Sequence, residues 1–198
     1  MPRTSRPAAG SPPPPRWAVL AAHAVPLCVL PSSLWRLGVL LAGPDGWYHT
    51  QQQDLEAVLY MVALSVVSEG FALLTLGLVR PWGEVVPGWV PLLGGRRIPT
   101  AAAVVPAALG ATAIYGLYAW MPLNAYVFQV RFEPTFGPAD GPPFPESGPE
   151  FWLAVVCYLP LLAWAPLLTA VTVAYYRRRT GRVARSGRRT AGLSTYGT

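Results

Sequence analysis

The sequence predicts an all-α polytopic membrane protein, four transmembrane helices in a bundle with disordered basic tails at both ends. Three observations predict it. Apolar residues make up 53% of the 198-residue chain and charged residues only 12%; a soluble domain carries about 25% charged residues. The apolar residues gather into four long segments, about 17–42, 55–79, 100–121 and 151–176. As helices rising ~1.5 Å per residue, each is long enough to cross a hydrocarbon layer of ~30 Å. The basic residues, all of them arginine, crowd the tails and every second connection.

Residues 1–16 hold three arginines and six prolines with no apolar period. Such a stretch buries too little surface to fold, so a disordered tail is expected. The first span, 17–42, follows basic residues as a signal peptide would. Its apolar run is too long for that, and no small-x-small cleavage site follows it, so an uncleaved helix is expected. Pro26 and Pro31 should kink it, freeing the carbonyls of Ala22 and Leu27. The loop 43–54 carries two acids, Asp45 and Asp54, and no arginine.

The second span, 55–79, is the least interrupted, with one ionisable residue, Glu69, near its middle. A carboxyl at that depth costs about 2.5–3.5 kcal/mol on insertion scales, so something must offset it. The connection 80–99 contains four prolines. Trp82 and Trp89 punctuate it, and Arg80, Arg96 and Arg97 bracket it. That composition suits a loop lying in the headgroup layer, with the rings and Arg96 and Arg97 as interfacial anchors.

In the third span, 100–121, Ala103, Ala107 and Ala111 recur every fourth residue, and Gly110 and Gly116 add to the small-residue character. Such a face allows close helix approach, so this helix is expected to be the central packing partner and a surface for homo- or hetero-oligomers. The loop 124–150 is acidic; its first part fits a short strand or an extension of the third helix. Pro160 and Pro166 should kink the fourth span, 151–176. The transmembrane domain thus covers 17–176, and a basic disordered tail, 177–198, follows. Seven of its residues between Arg177 and Arg189 are arginine.

Three arginines fall in the first tail, three in the middle loop and seven in the last tail, against none in the first loop and one in the third. Positively charged connections stay inside, so both termini and the middle loop are expected in the cytoplasm. Arginines just inside a span attract anionic headgroups at about 1 kcal/mol each. Membrane lipid, rather than nucleic acid, is therefore the expected partner of the basic tail.

Few residues are candidates for chemistry. By helical rise, Glu69 and His23 differ by ~7 Å in depth, and Glu69 and Arg36 by ~13 Å. Glu69 and His23 could therefore line a polar pocket that binds a polar head or exchanges a proton. The alternative is that Glu69 bonds to Ser65, one turn back, or to a freed carbonyl, and simply holds helices together. Arg36 is expected to snorkel outward to lipid phosphate, Asp54 or Glu56. Cys28 and Cys157 form no CxxC pair and read as small hydrophobes. No phosphate-binding loop, HExxH, GxSxG or metal-spaced cluster is present, so no cofactor or metal is expected. The leading functional expectation is a non-enzymatic structural or accessory component. The alternatives are a proton-linked or lipophile-binding transporter and an intramembrane acid–base enzyme.

The stretch SEGFALLTLGLVRPWGEVVPGWVPLLGGRRIP, residues 68–99, resembles one found in small uncharacterised four-span integral membrane proteins of actinobacteria. The resemblance covers about a sixth of the chain. It implies a bacterial plasma-membrane protein of similar layout, and carries no catalytic residue or ligand with it.

Overall fold

Each apolar segment forms helix, and most of the prolines inside them are accommodated without a break. The structure, a computed structural model, describes residues 13–42, 55–86, 88, 94–128 and 147–194. Helix α1 spans Arg16–Ala42 and runs through both Pro26 and Pro31. Helix α2, Leu55–Leu74, tightens into a 3-10 turn at Thr75–Leu78. Helix α3, Thr100–Leu123, continues into a π turn over Asn124–Phe128, so the extension holds and the strand does not, as far as Phe128. The fourth span is α4, Pro149–Tyr158, a 3-10 segment, Leu159–Ala163, and α5, Trp164–Ser194. Pro160 lies at the start of that segment, where its missing N–H matters least. Tyr118 of α3 donates to the Leu161 carbonyl there, tying α3 to the break.

Four helical stretches, Arg16–Leu41, Val58–Leu78, Thr100–Phe128 and Pro149–Gly181, are long and apolar enough to cross a membrane. Helices α1 and α5 form the centre. Helices α2 and α4 pack on α1, and α3 packs on α5. The main core lies where α1 begins and α5 leaves the bundle, around Ala22, Leu78, Val171 and Tyr175. Arg16, Arg80, Arg96, Arg97 and Arg177 to Arg179 all belong to this end of the bundle, hereafter the basic end.

One expectation needs correction. Helix α3 is peripheral rather than central. Ala111 is buried against the core, with Ala103 and Ala107 packed beside it, while Val105, Leu109 and Leu117 are exposed. An alanine stripe is narrow and admits one close neighbour. That neighbour is α5, which packs along this face. Helix α5 is described as far as Ser194, and Arg178 and Arg179 within it pack on the folded body.

The middle loop is folded back on the basic end. Val85 and Arg97 form an isolated antiparallel bridge. Val86 N–H donates to Arg96 O, Gly95 N–H to Val86 O and Ile98 N–H to Glu84 O. Gly95 turns the chain with φ of 78°, a left-handed conformation that glycine adopts without a Cβ penalty. Trp89 lies outside the described residues. Trp82 lays its ring on Gly77, within 2.7 Å of where a Cβ would stand, and a Cβ on Gly83 would fall 1.7 Å from Gly77 O. Gly83→Ala therefore forces backbone apart. It is expected to destabilise the protein by about 3 kcal/mol and to speed tryptic cleavage at Arg96 or Arg97. Unchanged melting and unchanged cleavage would show that the loop is not seated this way.

Candidate functional site

The deepest polar cluster is assembled by side-chain direction. In a helix every Cα–Cβ bond tilts toward the N-terminus. Arg36, on α1, therefore leans back toward mid-bundle, and Glu69, on the antiparallel α2, leans the opposite way. His23 leans toward the basic end and away from Glu69. Distances counted along the helix axes omit this tilt, which is why the sequence pairs the wrong residues.

Arg36 does not snorkel outward. Its Nε donates to Ser65 Oγ at 3.0 Å and a terminal nitrogen donates to Ser33 Oγ at 3.2 Å. The Tyr158 hydroxyl of α4 meets the same guanidinium. Three segments thus converge on one cation through neutral hydroxyls. Arg36 and Ser65, both candidates from the sequence, are brought together; Ser33 and Tyr158 are additions. Ser65 is buried and donates in turn to Met61 O at 2.8 Å. That leaves it unavailable as the partner expected for Glu69. Among the described side chains, the carboxylate ion pairs are those of Glu84, not of Arg36.

Glu69 stands apart from both candidates. It lies one turn from Ser65 on α2, and its Oε1 is buried without a hydrogen-bond partner. His23, by contrast, is engaged at the basic end. Its Nδ1 lies 2.7 Å from Val19 O and its Nε2 lies 3.3 Å from a terminal nitrogen of Arg80. A carbonyl and a guanidinium thus fix the ring from its two nitrogens. No hydrogen bond joins Glu69 to His23.

At the basic end Glu84 is the organising residue. Its carboxylate pairs with Arg178 at 3.0 Å and Arg179 at 3.9 Å, with side-chain exposures of 17% for Glu84 and 8% for Arg178. Arg178 also donates to Leu78 O at 3.1 Å. Arg179 donates to Thr100 Oγ1 and to Ile98 O. The buried Tyr175 donates to Gly83 O at 3.1 Å, and both guanidiniums stand over its ring. One acid thereby fastens the end of α5 to the middle loop, the end of α2 and the start of α3. Sequence reasoning passed over Glu84, although it is the one acid among the arginine-rich tails and middle loop. Arg96 and Arg97 are exposed on the same end and Trp82 is half-exposed.

The fold and its buried polar network define an α-helical, multi-pass membrane protein. Compared with protein-family models, curated proteins and solved structures, the chain shows no significant match.

Proposed function

We propose that the protein is a non-enzymatic accessory component of a bacterial plasma membrane, working through contacts with lipid. In this reading both termini and the middle loop face the cytoplasm, as the arginine distribution favours. One observation carries it: the two groups acid–base chemistry would need are kept apart, His23 on Val19 O and Arg80, Glu69 near mid-bundle. Most of the remaining hydroxyls in the spans bond to carbonyls of their own helix, as Ser68, Thr112 and Thr172 do. Meanwhile broad apolar surfaces of α2 and α3 face outward, including Val66, Phe71, Leu109 and Leu117. Exposed Arg80, Arg96, Arg97 and Trp82 at one end suit phosphate and headgroup contacts.

Extraction in a mild detergent followed by mass spectrometry tests the reading. Phospholipid is expected to co-purify with the intact chain in stoichiometric amount, chemically unaltered. Lipid-free protein, or lipid converted to a product on incubation, would overturn it.

A further inference from the structure

We propose that Arg36 is the anion-holding centre of a lipid site inside the bundle. It takes the phosphate of a phospholipid whose head also offers a hydroxyl or ammonium donor to Glu69. The inference rests on the lipid-engaging reading above and adds the place and the head chemistry.

The charge at Arg36 is hydrogen-bonded but not cancelled. Ser33, Ser65 and Tyr158 are neutral, and hydroxyls satisfy donors without removing a full charge from a low-dielectric medium. A guanidinium has five N–H donors, and these three partners leave some of them free. The fork of N–H groups matches phosphate oxygens in a way that an ammonium does not. Arg36 is half-buried rather than sealed. Helices α2 and α4 each pack on α1 but hardly on one another. Arg36 thus lies between α2 and α4, with Ser65 on one side and Tyr158 on the other. The second polar point is Glu69, one turn and ~6 Å along the axis from Ser65. Its buried, unpartnered Oε1 is an acceptor with nothing to accept. A phosphate and a donor a few ångströms apart describe the head of phosphatidylglycerol or phosphatidylethanolamine. Phosphatidylcholine has the phosphate and lacks the donor.

Native mass spectrometry of the full chain in detergent, with each of these three lipids added in turn, decides the matter. The wild type is expected to retain phosphatidylglycerol and phosphatidylethanolamine about tenfold better than phosphatidylcholine, the effect of one good hydrogen bond to a charged group. Arg36→Met should lower retention of all three by about tenfold or more. Glu69→Met, which removes the acceptor, should bring the first two down to the level of phosphatidylcholine. Removing an uncompensated charge leaves the fold intact, so Arg36→Met should melt close to the wild type; if it does not fold, Tyr158→Phe with its smaller loss of retention takes its place. Undiminished retention in the variants overturns the site while the lipid-engaging reading stands. A wild type that retains no phospholipid overturns both. Displacement of lipid by millimolar inorganic phosphate would assign Arg36 to a soluble anion and overturn the lipid assignment.

Discussion

Glu84→Ala is expected to destabilise the protein by roughly 3–5 kcal/mol, the cost of leaving a buried charge without its partner. Arg178 would remain nearly buried, with the carboxylate 3.0 Å away removed. Arg179 would lose its weaker contact at 3.9 Å. The effect is not confined to the pair. Tyr175, which donates to Gly83 O, and the backbone bond from Ile98 N–H to Glu84 O hold the same loop, so loosening the pair should also speed cleavage after the already exposed Arg96 and Arg97. Thermal unfolding in detergent measures the first consequence and limited proteolysis the second. Combining Glu84→Ala with Arg178→Met should recover part of the loss, because neighbouring substitutions in one network are not additive. Equal melting of wild type and Glu84→Ala would mean that the ion pair contributes nothing to holding the basic end together.

The second large effect separates two residues that touch. Ser65→Ala takes away the acceptor of the Arg36 Nε–H, at a cost of about 1–3 kcal/mol. Arg36→Met removes the donor and the charge together, and Ser65 keeps its bond to Met61 O. A small change is expected there, in the manner of charged groups replaced by apolar ones of similar volume. The ordering, Ser65→Ala clearly less stable than Arg36→Met, is therefore the reverse of what the size of the deleted side chain suggests. Melting curves of the two variants check it directly, and the opposite order would show that Arg36 holds the helices together by charge.

The spans were legible because the bilayer imposes length and composition on a helix directly. Boundaries predicted at 55–79 and 100–121 correspond to α2 with its 3-10 turn and to α3 with its π turn. The break at Pro160 was legible too, since it follows from one missing N–H. Pairings between helices were not. His23 and Glu69 were matched by backbone depth alone, although side-chain direction is set by helix polarity. The position of α3 was misjudged because an alanine stripe states that something approaches closely, not how many helices do so. Glu84 was missed for a different reason. A loop rich in proline and tryptophan reads as interfacial, and the register that brings it to Arg178, far along the chain, is set by tertiary packing.

Everything rests on four helices threading a bilayer with all the arginine-rich segments at one end. In a background with Cys28 and Cys157 replaced by alanine, single cysteines at Asp140→Cys and Ser186→Cys are labelled in intact cells with an impermeant maleimide. Asp140→Cys is expected to react at once, and Ser186→Cys only after the membrane is permeabilised. Labelling of both positions from the same side would contradict the four-span arrangement.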